Sequence, residues 1–286
     1  MSPRELSLRL PHLELAALAW GDPALPPLLA VHGWLDNAAS FTALAPQLAQ
    51  HFHVVALDWP GHGRSQHRPP GSWYHYVDYG DELFGAAAAL GWERFTLLGH
   101  SLGGAVASVF AAVHPQRVER LLLIEALGPL SGAPEKALDH LRSAYTQREA
   151  FREKSLRVFA SLDEAIDARL TANDYLSRAA ARQLVERGVR RVPDGWSWSS
   201  DPRLTLASPL RFTEVQVHAA LRGIAAPSLL LLADPATSYL PREVMDARAA
   251  CVADLRVQRL PGHHHLHLDD AARVAAAIEG FLQGST

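Results

Sequence analysis

The chain has 286 residues, of which 48% are hydrophobic and 20% are charged. This composition is ordinary for a globular protein of this size and too apolar for a disordered protein. The formal net charge of −3 excludes a strong long-range attraction to nucleic acid or to an anionic membrane. We therefore expect neither of them as a partner.

Cysteine content and the first residues of the chain bear on its compartment. The single cysteine, Cys251, cannot form an intramolecular disulfide, which favours a reducing compartment. Charged residues such as Arg4, Glu5 and Arg9 interrupt the leucines where a secretory signal would need an unbroken apolar core. Apolar runs elsewhere, such as 229–233, are far shorter than the about 20 residues that cross a bilayer. We expect a soluble, cytoplasmic protein.

Short apolar runs bounded by turn residues recur at both ends of the sequence. Continuous runs of this length predict strands that are covered on both faces, as in a parallel sheet. They cover residues 28–31, 53–57, 95–98, 121–124, 228–232 and 255–260. Helical apolar spacing predicts helices over 40–50, 76–90, 102–113 and 269–282. Alternation of strands and helices predicts an α/β protein with a mostly parallel, doubly wound sheet. The more strongly alternating stretches 5–10 and 13–20 predict an antiparallel hairpin at one edge.

The middle of the chain breaks this alternation. Between about 128 and 225 there is no buried-strand signature, and charges of both signs are interleaved with aromatic residues. Mixed charges at helical spacing indicate solvated helix faces. We predict a helical insertion packed over the sheet after the strand that ends at Glu125. The chain then divides into a first core part (1–127), the insertion (128–225) and a second core part (226–286).

Residues 99–103 read G-x-S-x-G and lie between a predicted strand and a predicted helix. A sharp strand-to-helix turn holds its serine, Ser101, in a strained backbone conformation, so small neighbours are needed at Gly99 and Gly103. The helix N-terminus then directs free N–H groups toward developing negative charge. The simpler alternative is a glycine-rich turn around a helix-capping serine.

With this motif the sequence resembles the α/β-hydrolase superfamily over nearly its whole length. His32-Gly33-Trp34 resembles the loop that supplies one oxyanion-hole N–H, a role that would fall to the backbone of Trp34 alongside that of Leu102. The stretch 58–65 resembles the superfamily's D-x-x-G-x-G-x-S turn, which is mostly structural. The insertion after Glu125 resembles the helical cap. Residues 32–37, HGWLDN, are most similar to the serine-hydrolase-like branch.

The resemblance implies a histidine base near the C-terminus, because a serine hydroxyl needs a base to become a nucleophile. Related sequences commonly read G-H-x-x-x-x-D/E before the last helix, and counting back five from Asp269 gives His264. His263 stands where a glycine is more usual, so His263 and His265 remain alternatives. His267 is expected to pack or to cap the last helix. Three consecutive histidines cannot all face one ion, so we expect no metal site.

Two residues are candidates for the acid that orients this histidine. Glu125 ends the strand after the nucleophile helix, and Ile124-Glu125-Ala126 resembles the acid position of one haloalkane dehalogenase subgroup. Asp234 follows the next strand, near the superfamily's commoner position, but it precedes Pro235 and can simply begin a turn. Glu125 is the preferred acid, with Asp234 as the alternative.

The resemblance also limits the reaction. Dehalogenases and epoxide hydrolases of this fold use an aspartate nucleophile, whereas this chain has Ser101. The remaining expectation is hydrolysis of a small, mainly apolar ester through an acyl-enzyme, with no metal or organic cofactor. Alternatives are a carbon–carbon bond hydrolase or perhydrolase of the same fold, and a ligand receptor with slow residual hydrolysis.

Overall fold

The computed structural model describes residues 1–151, 156–172 and 175–284. An eight-stranded sheet has the strand order β1-β2-β4-β3-β5-β6-β10-β11. Its first pairs, β1 with β2 and β2 with β4, are antiparallel, and the other pairs are parallel. The predicted α/β class and the edge hairpin are therefore confirmed. The strands of this sheet are β1 (Arg4–Arg9), β2 (Glu14–Trp20), β3 (Pro27–Val31), β4 (His53–Leu57), β5 (Phe95–His100), β6 (Val118–Ile124), β10 (Ser228–Asp234) and β11 (Leu255–Pro261).

Helices cover both faces of the sheet, which makes it doubly wound. One apolar core lies between the sheet and α2, α3, α7 and α8, and the other lies between the sheet and α1 and α10. Side chains of β3 alternate between them, with Leu29 in the first core and Leu28 in the second. The helices are α1 (Ala45–Leu48), α2 (Asp78–Ala89), α3 (Leu102–Val113), α4 (Ala137–Ala150), α5 (Leu162–Thr171), α6 (Arg178–Gly188), α7 (Glu214–Leu221), α8 (Arg242–Ala249), α9 (Leu266–Asp269) and α10 (Ala271–Gln283).

Two predicted helices are divided in the structure. The stretch predicted as a helix over 40–50 forms a 3-10 turn, Ala38–Phe41, followed by the short α1. Pro46 lies in the first turn of α1, where a proline is tolerated because its missing N–H is not needed there. The last helix begins only at Ala271, because Asp270 leaves the helical conformation and its carboxylate caps the N–H of Arg273.

The insertion between β6 and β10 contains α4 to α7 and also a small antiparallel sheet in the order β7-β9-β8, which a purely helical prediction lacks. Its strands are β7 (Val158–Phe159), β8 (Val189–Val192) and β9 (Gly195–Trp198). They have two to four residues each, and β8 carries two exposed arginines, so no buried-strand signature arises. The insertion packs around its own apolar cluster, which includes Phe159, Ile166 and Leu184 and takes in Leu268 of α9. The boundaries at 127/128 and 225/226 stay a prediction.

The parallel strands place their carboxyl ends at one edge of the sheet, where loops from several strands converge. The loops after β3, β5, β6, β10 and β11 therefore meet beneath the insertion. Within the described residues, no helix is both long and apolar enough to cross a membrane.

Candidate active site

Ser101 lies in the sharp turn between β5 and α3 and has φ 52° and ψ −116°. This is a backbone conformation that residues other than glycine rarely adopt. The turn is possible because its glycines leave room. A Cβ at Gly99 would lie 2.6 Å from the carbonyl oxygen of Gly103, and a Cβ at Gly103 would lie 2.1 Å from the carbonyl oxygen of Val31. The glycines around Ser101 therefore allow the sharp turn that holds it in this strained conformation.

The loop after β3 lies against this serine. A Cβ at Gly33 would be 3.1 Å from the Cβ of Ser101. Within the described part of the chain, neither the N–H of Trp34 nor that of Leu102 has a hydrogen-bond acceptor. Leu35 follows with φ 58°, so this loop too is held in a strained turn. These two N–H groups are the ones that the sequence predicts for the oxyanion hole, and that assignment stays a prediction.

Glu125 and His264 are brought together by the same convergence of loops. The Nδ1 atom of His264 is 3.2 Å from Oε2 of Glu125, whose residue is only 2% exposed. Glu125 has φ 55°, and its carboxylate also accepts hydrogen bonds from the N–H of Ala233 and from the hydroxyl of Thr237. The histidine is thereby oriented by a carboxylate that is itself fixed.

His264 has two further contacts, one through its backbone and one through its ring. Its backbone carbonyl accepts a hydrogen bond from Nε2 of His100, at 2.9 Å, and the ring of Tyr239 packs edge-on against it with centroids 5.1 Å apart. Burial lowers the pKa of His100 well below its usual value, and the neighbouring histidines add to this effect. His100 is therefore a neutral support for the loop of His264. Among the described residues, none forms a hydrogen bond to the Ser101 hydroxyl.

Asp234, the alternative acid, faces outward. Its side chain is 57% exposed and forms an ion pair with Arg242 at 3.4 Å. Within the described residues no histidine ring nitrogen lies within 4 Å of its carboxylate. The structure therefore brings Glu125, and not Asp234, to a histidine.

The other histidines near the C-terminus have different surroundings. His263 stacks on Tyr175 of the insertion, with ring centroids 4.5 Å apart. His265 is buried, and its Nε2 is 3.2 Å from a carboxylate oxygen of Asp36. His267 is fully buried and bonds through Nε2 to the hydroxyl of Ser40 at 2.7 Å. Its packing role is as expected.

Sequence reasoning missed several residues of this site. Asp36 is within the HGWLDN stretch but received no role, although its buried carboxylate pairs with Arg169 of the insertion. Thr237 and His100 were also not singled out. Their partners are more than a hundred residues away in sequence, so no local spacing pattern marks them.

Comparison with known proteins identifies the family. The family model described as the alpha/beta hydrolase fold matches residues 26–234. Serine hydrolase-like protein 2 of Homo sapiens is 35% identical, and the match covers 98% of this chain and 94% of that protein. The crystal structure of a hypothetical protein of Pseudomonas aeruginosa PAO1 has a TM-score of 0.92 and 42% identity, covering 98% of this chain and 99% of that one. A thioesterase domain from the curacin biosynthetic pathway has a TM-score of 0.84 and 26% identity, covering 98% of this chain and 100% of that one. The chain therefore belongs to the α/β-hydrolase family, in its serine-hydrolase-like branch.

Proposed function

We propose that this protein hydrolyses small, mainly apolar carboxylic esters through an acyl-enzyme on Ser101, with His264 as the base and Glu125 as the acid. The observation that carries the proposal is the pairing of His264 with a buried, doubly supported Glu125 next to the loop that holds Ser101. A carboxylate at Nδ1 fixes the tautomer of His264 and leaves Nε2 to accept the proton of the serine hydroxyl.

In the acylation step, Ser101 Oγ attacks the ester carbonyl carbon while Nε2 of His264 takes the hydroxyl proton. The carbonyl electrons move onto oxygen, and the N–H groups of Trp34 and Leu102 stabilise that oxyanion. Collapse of the tetrahedral intermediate breaks the bond to the alcohol oxygen, which leaves with the proton from His264. Contact between Ser101 and His264 is expected to shorten when substrate binds, as is common for catalytic hydrogen bonds.

Deacylation repeats these steps with water. His264 removes a proton from water as the oxygen attacks the acyl carbon, and the same two N–H groups hold the second oxyanion. The carboxylic acid is released as Ser101 regains its proton from His264. The carboxylate of Glu125 stabilises the charged imidazole in both acylation and deacylation. The chain's own groups supply every step, so the reaction needs no cofactor.

Several aromatic side chains of the insertion pack against one another, so they do not contribute to a preference for apolar substrates. Phe159 is fully buried, and Trp196 and Trp198 pack against it in the insertion's own core. Trp34 and Tyr239, in contrast, are 53% and 48% exposed. Because Trp34 follows Gly33 and Tyr239 packs on His264, these two side chains are the ones that support an apolar acyl or alcohol group.

The test is hydrolysis of short p-nitrophenyl esters by wild type and by Ser101→Ala. We expect the substitution to lower kcat by at least about 10³-fold, because it removes the proposed nucleophile. Ser108→Ala is a matched control, since it removes a buried hydroxyl from α3, the helix that follows Ser101, and should retain most activity. Equal and undetectable rates for wild type and Ser101→Ala would overturn the ester hydrolase proposal and favour the carbon–carbon hydrolase or receptor alternatives.

Thioesters are a second candidate substrate class, favoured by the similarity to the thioesterase domain. The acyl-enzyme chemistry is the same, and only the leaving atom changes from oxygen to sulfur. Paired substrates with one acyl group and either an oxygen or a sulfur leaving group would separate the two. A kcat/KM at least about ten times higher for the thioester would make thioesters the preferred class.

A further inference from the structure

A buried carboxylate that the mechanism does not use lies beside the oxyanion loop. Asp36 is only 3% exposed. One carboxylate oxygen pairs with the guanidinium of Arg169, and the other lies 3.2 Å from Nε2 of His265 and 3.7 Å from Nδ1 of His100. Burying a charge is costly unless it is well paired, so this arrangement requires an explanation.

The partners of Asp36 belong to three different parts of the site. Asp36 itself is two residues after Trp34, whose N–H is a proposed oxyanion donor. His265 adjoins His264, the proposed base. Arg169 belongs to α5 of the insertion, and its side chain is only 15% exposed. A single carboxylate thus joins the oxyanion loop, the loop of the base and the insertion.

The insertion also accepts two hydrogen bonds from the oxyanion loop. The indole N–H of Trp34 donates to the carbonyl of Leu204 at 2.9 Å, and the side-chain amide of Asn37 donates to the carbonyl of Leu184 at 2.8 Å. Both acceptors lie in the insertion. The Asp36–Arg169 pair is the only one of these three links that also reaches the histidine loop within the described contacts.

Asp36 remains charged in this environment. Burial by itself would raise the pKa of its carboxyl, but the charges of His265 and Arg169 and the hydrogen bond from His265 hold the pKa well below its usual value. Removing Arg169 would leave one carboxylate oxygen of this buried anion without its cationic partner. The loops that carry Asp36 and His265 would have to move to provide one.

We propose that Arg169 and Asp36 are positioning residues through which the insertion sets the oxyanion loop and the His264 loop relative to Ser101. This inference rests on the proposed hydrolase function. Oxyanion donors must lie within a fraction of an ångström of their target, and a misplacement of about 1 Å can cost about 100-fold in rate. The pair therefore affects the rate of the chemical step more than substrate binding.

The experiment compares Arg169→Met with Arg178→Met. Arg178 is the matched control, since it also pairs with carboxylates of α5, Asp163 and Asp167, but it is half exposed and makes no contact with the oxyanion loop. For Arg169→Met we expect kcat on a p-nitrophenyl ester to fall about 10- to 100-fold with KM changed less than about threefold. For Arg178→Met we expect both constants within about twofold of wild type.

A boronic acid that forms a tetrahedral adduct with Ser101 gives a second readout. Such an adduct places a charged oxygen in the oxyanion hole, so Arg169→Met should weaken its inhibition by about the factor by which kcat falls. In a double-mutant cycle, Asp36→Asn with Arg169→Met should be little worse than Asp36→Asn alone, because both substitutions break one coupled network.

Several outcomes would overturn the inference. If Arg169→Met lowers the thermal midpoint but leaves kcat and boronate inhibition within about threefold of wild type, the pair is only structural. If Arg169→Met does not fold, Arg169→Gln keeps a hydrogen-bond donor but loses the charge that pairs with Asp36, and kcat should still fall about 3- to 10-fold. An unchanged kcat for Arg169→Gln would then overturn the proposal. Failure of the hydrolase function itself is separate, because it appears as wild-type activity equal to that of Ser101→Ala.

Discussion

The turns after β6 and β10 begin alike and end differently. The two strands are parallel neighbours, and each reaches the same edge of the sheet with an acidic residue, Glu125 after β6 and Asp234 at the end of β10. Glu125 is almost completely buried, whereas the side chain of Asp234 is more than half exposed and paired with Arg242. Position at the end of a strand is therefore not enough to make a carboxylate part of the site.

The difference arises from where each turn directs its side chain. The N–H of Glu125 still bonds to Leu231 of β10, but its φ of 55° turns the side chain back across that strand. There the carboxylate meets the N–H of Ala233 and the hydroxyl of Thr237. The region after β10 thus contributes hydrogen-bond donors to an acid that β6 supplies.

The largest effect that this comparison predicts is on the two acids. We expect Glu125→Gln to lower kcat by about 10³- to 10⁴-fold, because an amide neither stabilises the charged imidazole nor selects its tautomer. We expect Asp234→Asn to change kcat less than about threefold, since it only weakens an exposed ion pair. Steady-state hydrolysis of a p-nitrophenyl ester by both variants measures the ratio.

The same assay can contradict the assignment of Glu125 as the acid. A larger loss for Asp234→Asn than for Glu125→Gln would move the acid to β10 and require a rearrangement of the turn. Circular dichroism melting of both variants separates lost activity from lost folding. This control matters most for Glu125, which is buried, whereas Asp234 is not.

How far the fold could be predicted depends on where an element is buried. The parallel strands are apolar throughout because both faces are covered, and helix 102–113 coincides with α3. The strands of the insertion carry no such signal, because Arg190 and Arg191 of β8 face solvent and the small sheet is stabilised by packing. Short antiparallel strands depend on tertiary contacts that a local pattern does not contain.

The site divides in the same way. Ser101 is marked by glycines that are adjacent in sequence, so the local turn could be predicted. The contact of Glu125 with His264 joins residues 139 apart, and that of Asp36 with Arg169 joins residues 133 apart. Only the resemblance to a family suggested the first pair, and nothing in the spacing suggested the second.

The buried ring of His267 makes the stability of the folded protein depend on pH. Burial lowers the pKa of His267 to about 3, and the charges of His265 and His264 act in the same direction while Asp36 opposes them. The folded state therefore keeps this ring neutral, and the unfolded chain takes up a proton below its ordinary pKa of about 6.5. Stability is lost as the pH falls through that value toward the folded pKa.

We expect His267→Gln to reduce this loss, since glutamine can still bond to Ser40 but does not titrate. Between about pH 7.5 and about pH 5.5, the free energy of unfolding of wild type should fall by about 1.4 kcal/mol more than that of the variant. Urea unfolding at both pH values measures the difference. Identical pH slopes would mean that His267 is not kept neutral by the fold.

The smallest predicted effect concerns Thr237, the donor that the turn after β10 provides. Its hydroxyl is 3.3 Å from Oε2 of Glu125, a long hydrogen bond to a carboxylate that is also held by Ala233. Thr237→Val removes the donor without changing the shape, and we expect kcat/KM to fall about fivefold, equivalent to about 1 kcal/mol. Thr205→Val is the control, because its hydroxyl donates to the exposed carbonyl of Pro202 and not to Glu125. A loss as large as that of Glu125→Gln would mean that the hydroxyl, and not the backbone of β10, holds the acid in place, whereas no loss would mean that the N–H of Ala233 is sufficient.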